Sequence, residues 1–164
     1  MAVYKTTGEG ERGRTQMSEN NIEIIHKEID LIQNCISRMA QNSFLIKGWA
    51  LTVVTVVLAL MEKNIDPIYL CLVLFIPLMA FWYLDAFFLQ IEKMYRKMYE
   101  WVIEVRPKND FSMLYDLNPH RFKDKVDSKQ KVMWSITLRI FYGIPIFMII
   151  AIIVYQVLLK YVPK

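Results

Sequence analysis

The stretch Ile140 to Leu159, IFYGIPIFMIIAIIVYQVLL, carries no charged residue, and no other feature of the chain restricts its fold as much. A run of about 20 apolar residues in helical geometry matches the hydrocarbon thickness of a bilayer. A second stretch, Ile68 to Leu84, is also free of charge and continues as AFFLQI beyond Asp85. A third, Ser43 to Met61, is interrupted by Lys47, which can reach a headgroup if it sits near one end. The whole chain of 164 residues is 55% hydrophobic with 5 glycines, a composition foreign to most soluble domains. The expected fold class is therefore all-α: an integral membrane protein with three transmembrane helices and a cytoplasmic helical extension. The first 47 residues are mostly polar and show no cleavable signal, so the spans are expected to be retained.

The expected organisation runs as follows along the chain. Residues 1–17, rich in glycine and charge, read as a disordered tail. Residues 18–43 read as a cytoplasmic amphipathic helix with Ser18 as its N-cap, and 44–61 as the first span. The polar turn EKNIDP leads to the second span at 67–84, which continues into the cytoplasm over 85–105. Residues 106–131 form a basic loop with short helical turns at most, and 132–162 form the third span.

Orientation follows from the basic residues. Of 20 lysines and arginines, all but Lys63, Lys160 and Lys164 fall before the first span, at its start (Lys47), or between Lys93 and Arg139. By the positive-inside rule the N-terminus and the long loop are cytoplasmic, and the C-terminus lies outside, in a multi-pass protein of the cell inner membrane. Cys35 and Cys71 then sit too far apart for a disulfide within one chain.

The helix beyond Asp85 keeps an apolar rhythm: Leu84, Phe88, Ile91, Tyr95, Met98 and Val102 recur at steps of four and three. Glu92, Arg96 and Glu100 share another face. Ahead of the first span, Ile22, Ile25, Ile29, Ile32, Ile36 and Met39 repeat the pattern, so the two helices are expected to pair antiparallel within one chain. A row of Phe87, Met94 and Trp101 beside the second stripe makes it wider than one partner helix requires. Apolar surface of that width, rimmed by charge, points to a homo-oligomer or a cytoplasmic protein partner.

Chemistry is scarce. His26 and His120 are the only histidines, and no phosphate loop, nucleophile motif or cysteine pair of metal-binding spacing accompanies them. His26 and Asp30 share a helix face, but two ligands seldom make a metal site. No enzyme activity, cofactor or metal is expected. The basic loop HRFKDKVDSKQK is accounted for by topology; membrane lipid headgroups are a second explanation, and nucleic acid is a remote third.

Ionisable groups within spans carry more weight, because each is costly in hydrocarbon unless it faces protein, water or a headgroup. Asp85, Arg139 and Lys47 all fall near the cytoplasmic ends of their helices. Two readings stand: Asp85 pairs with Arg139 or Lys47, within or between subunits, in a charged mouth of a conduit, or the basic groups merely reach the interface beside an exposed Asp85. Gly48, Thr52, Thr55 and Ala59 form a strip of small residues that permits close helix approach; alternatively its threonines line a watery path. Pro77 in the second span, with Gly143 and Pro145 in the third, mark kinks.

Taken together, KGWALT, FWYLDAFFLQIEKMYRKMYEWV and WSITLRIFYG resemble small three-helix bacterial inner-membrane proteins, some encoded beside antiviral systems. The layout is similar to that of the octameric pore-forming accessory proteins of type VI-B CRISPR systems. The resemblance implies a ring that permeabilises or depolarises the membrane upon infection. Some members carry an arginine and a histidine a few residues apart; no arginine stands in the turn preceding His26 or His120, so no residue is carried over. The function expected is an oligomeric pore or channel in antiphage defence; the alternative is a non-conducting scaffold that recruits a cytoplasmic partner through its extended helices.

Overall fold

No proline precedes Pro67, and the chain forms one uninterrupted helix, α1, from Thr6 to Leu60. The computed structural model describes residues 6–60 and 66–161. Among these, every regular element is helical. At about 1.5 Å per residue α1 is about 80 Å long, far more than a bilayer core requires. The expected disordered tail is corrected in part: residues 6–17 are helical, and Ser18 lies inside the helix rather than at its start. Once a helix is nucleated by the isoleucine-rich turns, each added residue gains a hydrogen bond, which offsets the glycines at Gly8, Gly10 and Gly13. Residues 1–5 lie outside the described residues, as does most of the EKNIDP turn.

Helix α2 runs from Pro67 to Val105. Its start is fixed by Asp66, whose Oδ1 accepts from the Ile68 amide at 2.9 Å, with Pro67 in the first turn, where its missing donor costs nothing. It passes through Pro77 without interruption. Beyond Val105 come a 3₁₀ turn at Arg106–Lys108 and another at Pro119–Lys125. A short helix, α3, covers Lys129–Met133, and α4 runs from Ile136 to Tyr161 through Pro145.

The third span, expected as one helix over 132–162, is thus broken at Trp134 and Ser135. The reason is visible in the hydrogen bonds. The Met133 carbonyl, which would accept a helical amide one turn on, accepts the Trp82 indole Nε1–H at 2.9 Å instead. Trp134 leaves helical geometry at φ −88°, ψ 12° and meets Trp82 edge to face at 5.5 Å. The chain turns a corner on a tryptophan from α2.

Helix α2 is the centre of the molecule, packed against α1 along one side and against α4 and α3 along another. Leu70, Cys71, Leu74, Leu78, Trp82 and Ala86 recur at helical spacing and bury themselves against Ala50 and Val57 of α1 and Leu138, Tyr142 and Ile149 of α4. A second core lies in the extension, where Ile32 of α1 meets Met98 and Val102 of α2, with Ile29, Ile36 and Tyr95 around them. The two long helices are antiparallel: as contacts on α1 advance from Glu28 to Lys47, those on α2 retreat from Arg106 to Asp85. Three helices are long and apolar enough to cross a membrane, with windows in Glu19–Leu60, Ile68–Lys108 and Ile136–Leu158. Phe44, Trp49, Ile76 and Phe147 stand largely exposed on them, as lipid-facing side chains do.

The loop after α2 is more than a tether. Phe122 is buried in the second core with Leu117 and Trp101 around it, and Trp101 and Phe122 lie 6.1 Å apart. The wide apolar row expected to bind another subunit or protein is therefore covered in part by the chain itself. Met94 is buried, Trp101 is half-buried beneath this loop, and Phe87 lies under Lys129, whose Nζ stands 5.1 Å from the ring. Gln90 donates to the Asp127 carbonyl at 3.0 Å, holding the loop along α2. Truncating the buried ring, Phe122→Ala, is expected to cost about 3 kcal/mol or more. Hydrogen exchange should then show residues 114–127 losing protection while α1 and α2 keep theirs.

Candidate functional site: a buried charge cluster joining three helices

Asp85 is fully buried within a single chain. A carboxylate in that position needs donors on every side, and two helices, α1 and α4, supply them to Asp85 of α2. From α1, Lys47 Nζ approaches Oδ2 at 2.6 Å and donates to Oδ1 at 2.8 Å, and the Ser43 hydroxyl donates to Oδ1. Lys47 also donates to Ser43 Oγ at 2.8 Å, so ammonium and hydroxyl are themselves linked. From α4, the buried Tyr142 hydroxyl donates to Oδ2 at 3.1 Å. Ser43 and Lys47 are one helical turn apart, which places both donors on the face of α1 that meets α2.

Aromatic walls close the cluster on the α3 side. Trp82, one turn before Asp85, stacks on Tyr142 with ring centres 6.1 Å apart. The Lys47 side chain keeps 25% of its surface exposed, while that of Asp85 has none. Chemically this is a charge-neutral, fully paired staple. Among the described residues, no group of three or more His, Cys, Asp or Glu side chains that could hold a metal is present.

The sequence expectation is that Asp85 pairs with Arg139 or Lys47, within or between subunits. Of the two basic partners proposed for Asp85, it is Lys47 that meets it, and the contact lies inside the protomer. Arg139 is exposed on α4 and forms no ion pair among the described residues. The alternative of an exposed Asp85 is overturned as well. Thr52 and Thr55 are exposed on α1, their hydroxyls donating to the carbonyls of Gly48 and Leu51, both at 2.9 Å. Gly48 is exposed too, with open space where a Cβ would stand. Helices α2 and α4 pass through Pro77 and through Gly143 and Pro145. Pro77 and Pro145 each lack the amide hydrogen a helix would offer the preceding turn, so the carbonyls of Val73 and Phe141 lose their helical donors.

The stripe residues assigned to an oligomer or partner interface also belong inside the chain. Ile32 and Met98 are buried in the seam between α1 and α2; Ile29, Ile36 and Tyr95 are half-buried against it. Ile25, Phe88 and Ile91 are partly covered, with Phe88 edge to face on Phe87 at 5.5 Å. His26 and Asp30 are both exposed.

A second buried ion pair went unseen in the sequence. Arg106 grips Glu28 with two hydrogen bonds of 2.7 Å, Nε to Oε2 and Nη2 to Oε1. Its remaining nitrogen, Nη1, donates to the carbonyls of Asp110 at 2.6 Å and Ser112 at 3.1 Å. Trp101 lies against the guanidinium at 5.3 Å. The Tyr115 amide donates to Glu28 Oε1 at 3.3 Å. This wraps the loop around the pair tightly enough that Asn109, Met113 and Tyr115 adopt positive φ of 58°, 55° and 59°. Left-handed backbone is uncommon for side chains as large as methionine and tyrosine, and the bonds to Arg106 and Glu28 hold it.

At the far end of the loop, Asp127 is held below the ordinary carboxylate range by its hydrogen bond and charge pairing with Lys131, and by Lys93. Asp110 is likewise lowered, first by the Ser112 backbone amide. A lowered carboxylate contributes stability that is present above its unfolded value of about 3.9 and fades as pH falls through the folded value. Loop protection is therefore expected to be constant near neutrality and to fall below pH of about 4. Asp127→Asn should flatten that acid-side loss in hydrogen exchange of residues 124–131.

Comparison with protein-family models, with curated proteins and with solved structures finds no match. The resemblance to CRISPR accessory proteins rests on the sequence alone.

Proposed function

We propose that the chain is a multi-pass membrane protein that assembles with copies of itself into a conducting pore, with α1, α2 and α4 spanning the bilayer. The distribution of basic residues supports a cytoplasmic extension and an external C-terminus. The observation that carries the assembly is the exposed strip Gly48, Thr52, Thr55 and Ala59 on α1. The membrane-level charges Asp85 and Lys47 pair with each other inside the protomer, and the core between the helices is apolar. A polar path would have to run between protomers, and a strip of small residues with hydroxyls is the surface on which bilayer helices approach one another. Arg139, exposed on α4 and in no ion pair among the described residues, is a charge available to face a lumen or headgroups.

The physiological reading that goes with the pore is defence: depolarisation of an infected cell's inner membrane. The competing scaffold reading keeps less of its surface, because Met94 is buried and Trp101 is half-buried beside Phe122 of the loop. It would have to use what the extension leaves exposed, such as Leu31, Ile103 and Met113.

Assembly is tested by mass photometry of the protein in nanodiscs, comparing Thr52→Leu and Thr55→Leu singly and together. The expected outcome is a ring of defined stoichiometry for the wild type and a drop of about tenfold in its population for the double variant, with helicity unchanged. A monomer in both proteins would remove the pore reading, since a single three-helix unit with this core offers no path.

A further inference from the structure

The basic residues along α2 and α3 differ in what neutralises them. Arg96 pairs with Glu92 and Lys97 with Glu100, while Lys93 and Lys131 share Asp127. Lys129 forms no salt bridge among the described residues; its ammonium rests 4.7 Å from the centre of the Tyr83 ring and 5.1 Å from that of Phe87. Ring faces attract a cation and leave its charge uncancelled. Because the nearby Asp127 is already shared by two lysines, this corner holds three ammoniums against one carboxylate. Donors are left over as well. Lys129 Nζ donates to the Tyr83 hydroxyl at 2.9 Å in an exposed contact, and neither group makes another hydrogen bond among the described residues. An ammonium has three donors and a phenol one, so two N–H groups of Lys129 and the Tyr83 O–H have no acceptor there. The rings hold the ammonium in place, so meeting an anion costs it little of the freedom a lysine stem otherwise has.

Helix α2 sets the level of this corner. Its charge-free run begins at Ile68, and by helical rise Tyr83 stands about 23 Å and Phe87 about 29 Å beyond it. A hydrocarbon core is about 30 Å thick, so the ammonium lies where acyl chains give way to headgroups. Trp134, exposed at the corner after α3 and in edge-to-face contact with Trp82, suits the same level, where indoles collect at membrane surfaces. Ile136, exposed at the start of α4, suits the hydrocarbon just below it.

We propose that Lys129 and Tyr83 form a binding site for the phosphate of one anionic phospholipid in the leaflet on the side of the extension. The phosphate oxygens accept from the two remaining N–H groups of Lys129 and from the Tyr83 hydroxyl. A headgroup with no cation of its own is preferred, because the choline of a zwitterionic lipid would bring positive charge to a corner where ammoniums already outnumber carboxylates. The proposal rests on the reading that the three helices span a bilayer, and not on their assembly into a pore.

The test is native mass spectrometry of the full chain released from nanodiscs of equal parts phosphatidylglycerol and phosphatidylcholine. Retention of one phosphatidylglycerol per chain is expected to exceed that of phosphatidylcholine by about fivefold. Lys129→Met removes the charge, and Tyr83→Phe keeps the ring under the ammonium and removes only the hydroxyl; each should cut the preference by about threefold. Lys125→Met removes the same charge from a lysine that rests on Phe122 beside Trp101, about 21 Å along α2 from Phe87, and should leave the preference unchanged. A preference that survives Lys129→Met or Tyr83→Phe, or that Lys125→Met lowers equally, would overturn the site in favour of diffuse attraction to the basic loop. Displacement of the lipid by excess inorganic phosphate would reassign the site to the free ion and overturn it as well. Carbonate extraction separates the two levels: release of the chain from membranes would defeat the spanning reading and the site together. A retained chain without lipid preference defeats the site alone.

Discussion

Arg106→Ala is expected to lose about 3–5 kcal/mol of stability, because it leaves the Glu28 carboxylate buried without its cation. The side chains of the pair are 0% and 3% exposed, so Glu28 cannot recover its hydration by turning outward. Glu28→Gln should be nearly as damaging, since Arg106 would keep its charge and lose an anion. Thermal unfolding in detergent reads the loss. Chymotrypsin reads its location, because Phe111 and Tyr115 lie in the segment whose left-handed residues are held by this pair. The double variant Glu28→Met with Arg106→Met should recover part of the loss, as apolar replacement of buried ion pairs often does. The carbonyls of Asp110 and Ser112 would still lack the donors Arg106 provides, so recovery will be incomplete.

The cluster around Asp85 predicts an asymmetry that a simple ion pair does not. Lys47→Met strands a carboxylate that is fully buried, leaving only the hydroxyls of Ser43 and Tyr142 to solvate it; the expected cost is about 3–5 kcal/mol. Asp85→Asn strands an ammonium that is already partly exposed and sits on a flexible stem, so it can swing to the interface, and the expected cost is about 1–2 kcal/mol. A double-mutant cycle on thermal stability in detergent measures both numbers and their coupling. Equal costs would mean that Asp85 reaches water or a second partner in the assembled protein.

The spans were legible in the sequence because hydropathy over a whole turn-rich segment needs no tertiary information. The seam of Ile32 with Met98 was legible for a related reason: two stripes with the same rhythm, running in opposite chain directions, have few other ways to pack. Lys47 was one of two cations at the right depth for Asp85, and choosing between it and Arg139 required knowing which face of α4 turns toward α2. That face carries Tyr142, a phenol indistinguishable in the sequence from the chain's other tyrosines.

What was not legible depended on contacts between distant segments. Glu28 and Arg106 lie 78 residues apart, and each looked like an ordinary charge on an extended helix. The loop of Leu117 and Phe122 has no helical or strand period, so nothing in it announced that it would cover Trp101. The surplus width of the α2 stripe was the right signal, read toward the wrong occupant. The corner at Trp134 arises because the Trp82 indole takes the Met133 carbonyl, a donor-for-donor exchange that leaves hydropathy untouched.

In the proposed pore, conduction runs past the small-residue strip of α1 and outside the buried charge cluster. Single-channel recording in planar bilayers tests it directly, using Thr52→Cys in a background where Cys35 and Cys71, both buried, are serine. The account predicts discrete channel openings whose current falls severalfold when a charged thiol reagent modifies position 52. Currents that ignore the reagent, or an electrically silent bilayer at verified protein density, would contradict it.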